Sequence, residues 1–146
     1  MGLSVQVAID CTDPTKLAAF WAEVLHYKIQ DPPKGYDSWP AFLQAQHIPE
    51  DQWNKASAIV DPEGKGPRIF FQHVPEAKTV KNRVHLDINV GLHGQETASP
   101  EERKQRTIAE VEHLTKLGAR ELYRCEEFGD FGITMADPEN NEFCIQ

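Results

Sequence analysis

The feature that most restricts the fold is an internal repeat. Two stretches alternate apolar and polar residues in the same way, Val5-Gln6-Val7-Ala8-Ile9 and Val84-His85-Leu86-Asp87-Ile88, and a helix-forming segment follows each. Later in each half comes a nearly identical turn, Val60-Asp61-Pro62-Glu63-Gly64 and Ala136-Asp137-Pro138-Glu139-Asn140. Each turn leads into a strand-like run that holds a glutamine, Gln72 or Gln146. A lone Asp-Pro-Glu turn is common, because Asp and Pro both favour turn geometry. Two of them at the same stage of two βαβ-like patterns predict a duplicated βαβββ unit. The competing arrangement is a ferredoxin-like α+β domain with two unrelated turns.

The elements follow from periodicity. Alternation over residues 3–10 predicts a strand, with Val5, Val7 and Ile9 on its apolar face. Asp13-Pro14 is a cap followed by proline at the first helical position. Leu17, Phe20, Trp21, Val24 and Leu25 then recur at helical spacing, so a helix is expected over 14–26. Residues 27–30 form a short strand that Pro32, Pro33 and Gly35 end. Residues 31–56 read as a long irregular stretch holding Trp39, Phe42 and Trp53, with one helical turn starting at Pro49. Strands are expected at 57–60 and 67–74, and residues 75–81 form a polar connector. One domain is expected, its first module at about 1–75 and its second at about 82–146.

In the second module, residues 82–90 alternate, with Val84, Leu86, Ile88 and Val90 apolar. Ser99-Pro100-Glu101-Glu102 is a helix start with a serine cap and a glutamate three residues later. That helix runs to about 117 with Ile108, Val111, Leu114 and Leu117 inward, and Gly118 ends it. Strands at 119–124, 132–136 and 142–146 complete the unit.

A chain of 146 residues with 40% hydrophobic content can fill one core. Its net charge of -8 disfavours polyanionic partners, nucleic acid and anionic membrane alike. No apolar run approaches the ~20 residues a membrane helix needs. The first ten residues lack the basic and apolar regions of a signal peptide. Cys11, Cys125 and Cys144 are odd in number and far apart, which suits reduced thiols in a cytoplasm.

Duplicated units of this kind bury one sheet face under a helix and leave the other phase to line a cleft. That phase holds Gln6, Ala8, Asp10, His85, Asp87 and Asn89, then Glu142, Cys144 and Gln146. In residues 67–74 both faces carry an aromatic, and Arg68, Phe70 and Gln72 are assigned to the cleft.

On the runs VAIDCTDPTKLAAFWAEVLHY (7–27), FFQHVPEAKTVKNRVHLDINV (70–90) and ADPENNEFCIQ (136–146), the chain resembles the vicinal-oxygen-chelate superfamily, in its glyoxalase-like or bleomycin-resistance-like branch. Asp13, Phe20, Trp21 and Leu25 match that family's first-helix pattern. The resemblance implies an α+β fold of two βαβββ modules curved around a cleft, a small-molecule ligand and a homodimer. It implies isomerase, lyase or dioxygenase chemistry without selecting among them, or non-catalytic sequestration of a small molecule. Carried over by position, the metal ligands of family members fall on Gln6, on Gln72 (or Phe70 if the register slips by two), on His85 and on Cys144. Two amides, one imidazole and one thiol make a weak donor set for a divalent cation. The cofactor expected is therefore a divalent metal ion or, more in keeping with these donors, none.

The residues leave several roles open. His85 can be a ligand or a general base, since imidazole titrates near neutrality, or it can hydrogen-bond substrate or a cross-strand neighbour. Asp87, two residues on and on the same face, can orient His85 or pair with an arginine such as Arg68. Gln6, Phe70, Gln72, Trp39, Trp53 and Cys144 are candidate substrate contacts. Against this, Trp39 and Trp53 can equally pack as satellite core or at a dimer contact, and Cys144 can be an inert buried thiol. No phosphate loop, nucleophile elbow or HExxH motif is present.

Overall fold

The computed structural model describes residues 1–146 and divides into two compact units, residues 1–77 and 78–146. In the first unit, β1 (Val7–Cys11) leads into α1 (Pro14–Leu25) and β2 (Lys28–Ile29). Helix α2 (Trp39–Ala45), a 3₁₀ segment (Glu50–Lys55), β3 (Ala56–Val60) and β4 (Ile69–His73) follow. The second unit contains β5 (Leu86–Ile88), α3 (Pro100–Lys116), β6 (Arg120–Glu127), β7 (Asp130–Ala136) and β8 (Glu142–Ile145). The strand orders are β1-β4-β3-β2 and β5-β8-β7-β6, in two open four-stranded sheets. In each sheet the helix-preceding strand runs parallel to the last strand, and the other pairings are antiparallel. The topology of one unit is thus the topology of the other.

The core of each unit is one sheet face under one helix. Leu17, Phe20, Trp21 and Val24 of α1 are buried, as are Ile59, Ile69 and Phe71 of the first sheet. Val111, Leu114 and Thr107 of α3 are buried, as are Ile133, Met135, Phe143 and Ile145 of the second. Fully burying one such aliphatic or aromatic side chain stabilises the fold by about 1.5–3 kcal/mol. The helix starts are those expected: Asp13 accepts from the Lys16 N–H, and Ser99 and Glu102 form a reciprocal capping box. Leu117, assigned inward, instead stands 39% exposed beyond the end of α3.

The repeated turns share their main hydrogen bonds. Asp61 and Asp137 each accept, on the side chain, from the N–H two residues on (Glu63, Glu139) at 2.9 Å and from the N–H four residues on (Lys65, Asn141) at 3.0 Å. Their carbonyls accept from Gly64 and Asn140, which both take the left-handed conformation, at φ 70 and φ 68. Glycine and asparagine are the residues that enter that region at least cost. After the first turn, a Cβ at Gly66 would lie 1.9 Å from the Tyr27 hydroxyl, so a larger residue there would have to displace that ring.

Three expectations require correction. The alternating strands are shorter than their patterns: residues 3–6 and 82–85 lie outside the sheets, and Val5 and Val84 are exposed. Pairing decides this, since the registers begin at Val7 with Ile69 and at Leu86 with Phe143 and no ladder extends before them. Residues 31–56 are not irregular throughout. Ser38 caps α2 by accepting from Ala41 N–H, with Pro40 in its first turn. No residue of α2 is fully buried, so it carries no long apolar stripe by which to recognise it. Finally, β6 and β7 run on to a two-residue hairpin at Phe128-Gly129, both left-handed, as tight hairpins favour.

Asp137 is buried and satisfies three donors, the N–H groups of Glu139 and Asn141 and the Asn141 side-chain amide. Asp137→Ala strands those groups and should cost about 2–3 kcal/mol in urea denaturation at pH 7. At Asp61, backbone N–H groups of Glu63 and Gly66 hold the carboxyl below its ordinary value of 3.8. Its contribution is therefore complete above that value and fades as pH falls through the lower folded value. Asp61→Asn should flatten the acid limb of the stability curve, and an acid limb unchanged from wild type would contradict this role.

Candidate functional site

Each sheet has a second face, of the phase that the helix does not cover. In the first unit it is organised by Arg68, just ahead of β4. The Arg68 Nε donates to Gln30 Oε1 at 2.6 Å, and its Nη1 donates to Gln6 Oε1 at 2.9 Å. The guanidinium lies over the Phe70 ring at 5.4 Å from its centre. Phe70, half-buried, stands opposite Ala8 and Ala58 in the ladder. Gln72 follows on the same face, exposed, in register with Asp10 and Ala56. All of Arg68's hydrogen-bond partners are neutral, so its charge is oriented without being cancelled.

Gln30 also joins this face to α2, because its carbonyl accepts from the Trp39 indole at 2.7 Å. Trp39 in turn packs edge-on against Phe42, which meets Tyr36 in the same manner. Trp53 is held elsewhere, by donation to the Ile48 carbonyl at 2.9 Å. Among the candidates of this unit, Gln6, Phe70, Gln72 and Trp39 therefore belong to one network or face, and Trp53 does not join it.

In the second unit, the His85 Nδ1 lies 2.9 Å from Asp87 Oδ1, and both side chains are about half exposed. Asp87 is in register with Cys144, which is in register with Thr134 on the other side. Burial pushes the Cys144 thiol above its ordinary value, the Asp87 carboxylate pushes the same way, and the Thr134 hydroxyl only partly opposes them. Glu142, on the same face, is paired with Lys81, which lowers its carboxyl. So His85, Asp87 and Cys144 are brought together, but as a hydrogen-bonded acid–base pair beside a protonated thiol.

This chemistry does not suit a divalent cation. Gln6 offers its only acceptor oxygen to a guanidinium, which would repel a metal ion. Cys144 binds a metal only as a thiolate, the form its surroundings disfavour. The carboxylates of the second face are already committed to His85 and Lys81. In neither unit do three His, Cys, Asp or Glu side chains gather as a metal site requires. Gln30 was not legible as a site residue, because its role depends on where β2 lies beside β3. The only signal was its polar character at the end of an otherwise short strand.

Two open sheets of identical βαβββ topology, each with a polar face, define the class of glyoxalase/bleomycin-resistance/dioxygenase (vicinal-oxygen-chelate) folds. The model of the glyoxalase-like domain matches residues 6–146, and the chain belongs to that family. Among solved structures, a glyoxalase/bleomycin resistance/dioxygenase family enzyme from Burkholderia phytofirmans superposes with a TM-score of 0.59 at 16% identity, covering 96% of this chain and 94% of that one. A Glu-to-Gln mutant of the fosfomycin resistance protein FosX from Listeria monocytogenes, complexed with Mn(II) and 1S,2S-dihydroxypropylphosphonic acid, superposes with a TM-score of 0.60 at 16% identity, covering 99% of this chain and 88% of that one. No curated protein sequence matches the chain. No helix is long and apolar enough to cross a membrane, and none of the three cysteines forms a disulfide.

Thiol reactivity follows from these environments. With iodoacetamide at pH 7, exposed Cys125 should alkylate first, and Cys144 should lag it by about tenfold or more, because only thiolate reacts. Peptide mass analysis over time reads both rates. A Cys144 that reacts as fast as Cys125 would remove the protonated-thiol description.

Proposed function

We propose that this glyoxalase-like protein binds a small oxygenated metabolite and acts on it by proton transfer, with His85 as the base and Asp87 as its positioning residue. The 2.9 Å contact between His85 Nδ1 and Asp87 Oδ1 carries this reading. A carboxylate on Nδ1 selects the tautomer that is protonated there and leaves the Nε2 lone pair to accept a proton. The first unit, taken by itself, offers a separate polar face, where Arg68 held by Gln6 and Gln30 presents a positive charge suited to a carboxylate oxygen beside the apolar Phe70 ring. This reading routes nothing through a metal. Isomerase or lyase chemistry fits a base of this kind better than dioxygenase chemistry, which needs a redox centre.

Sequestration without catalysis is the second reading. The aromatic group of Trp39, Phe42 and Tyr36, joined to Arg68 through Gln30, favours it. A cytoplasmic location and a homodimer belong to the same proposal and rest on the family and on the free thiols. Light scattering at the monomer mass of 16.5 kDa would remove the dimer.

The test is deuterium uptake from D₂O by a panel of α-hydroxy aldehydes and ketones, followed by proton NMR. Uptake should fall by about a hundredfold or more in His85→Ala, the scale of a lost general base. In Asp87→Asn, the imidazole nitrogen shifts should lose their tautomer preference while the fold is kept. Uptake in His85→Ala equal to wild type would end the base assignment. Quenching of tryptophan fluorescence by a ligand, with no uptake in wild type, would favour sequestration.

A further inference from the structure

The second unit holds a cavity that the reading above does not use. Its volume is about 280 Å³, and Asn89, Arg103, Lys104, Thr107, Phe131 and Gln146 are among the residues that line it. It lies past the carboxyl ends of the parallel strands β5 and β8, against the first turns of α3. Crevices at that end of parallel strands are favoured ligand positions, because chain leaves both strands there and a helix begins.

One cation of the cavity has no partner. Arg103 forms no ion pair, and its Nε is buried without a hydrogen-bond partner. A buried N–H left unsatisfied is destabilising, and such a group in a native structure demands a cause. Gly91 permits the arrangement: a Cβ at that position would stand 3.1 Å from the Arg103 Cβ. Lys104 lies over the Phe131 ring at 5.0 Å and is ion-paired with Glu126 at 3.4 Å. Buried Thr107 presents its side chain to the same space, and the Gln146 amide donates to Asn89 Oδ1 at 3.0 Å. Asp130 is the one carboxylate in the lining, beside the unpaired Arg103 and the Glu126-paired Lys104.

We propose that this cavity binds an oxyanion, the carboxylate or phosphate group of a small metabolite, with Arg103 as its principal ligand. Arginine meets such groups with parallel N–H donors, and an anion would give the Arg103 guanidinium the ion-pair partner it lacks. Thr107 would add a hydroxyl. The inference does not depend on the roles of His85 and Asp87.

The experiment is a titration of the full chain with inorganic phosphate, and separately with acetate, followed by amide NMR at ionic strength held constant with sodium chloride. Saturable shifts should centre on Gly91, Thr107 and Gly129. Saturation by phosphate but not acetate assigns a phosphate ligand; the converse assigns a carboxylate. Arg103→Met keeps the apolar stem and should weaken binding at least tenfold. Thr107→Val, of nearly the same shape, should weaken it severalfold, and serves if Arg103→Met fails to fold. Absence of saturable shifts with both anions would overturn the proposal, as would equal affinity in both variants.

Discussion

The period-two alternation of β1, β4, β5 and β8 governs everything else in this structure. In each unit one phase of those strands lies under a single helix, and the residues of that phase are among the most buried in the chain: Ile69, Phe71, Phe143 and Ile145. Each contributes on the order of 2 kcal/mol by leaving water. A slip of one residue would expose all of them and carry Arg68, Phe70, Gln72 and Cys144 beneath a helix. The apolar phase thereby sets the position of every polar candidate, although none of those polar groups drives folding.

What the polar faces can do is decided by how their charges are partnered. Arg68 is held by amides, which orient a guanidinium while leaving its charge available. Lys81 and Glu142 cancel one another, and His85 and Asp87 share one hydrogen bond. On each face taken by itself, these pairings leave a poor donor set for a dication. The same fold holds Mn(II) in the Listeria monocytogenes fosfomycin resistance protein. The fold therefore does not prescribe the cofactor; the donor set on its polar faces does.

Much of the fold was legible in particular residues. The two Asp-Pro-Glu turns marked corresponding points of a duplication, and their hydrogen bonds agree because Asp acts through its own local backbone. Asp13-Pro14 and Ser99-Pro100 marked helix starts for the same local reason. Phase placed Arg68 and Phe70 opposite the core. Helix α2 escaped because it buries no residue fully, and periodicity reports only burial. Val5 and Val84 misled because an alternating pattern does not show where a partner strand begins.

The chain's order of residues determined the repeat, the caps, the turns and the assignment of each strand residue to one of two faces. All of these depend on neighbours within a few positions, where covalent geometry and side-chain chemistry suffice. Tertiary structure decided which residues meet from afar. It brought Gln6 and Gln30 to Arg68 across separations of 62 and 38 positions, and Asp87 to Cys144 across the ladder. Pairing and register are collective outcomes of packing the whole core, so no local pattern could specify those contacts.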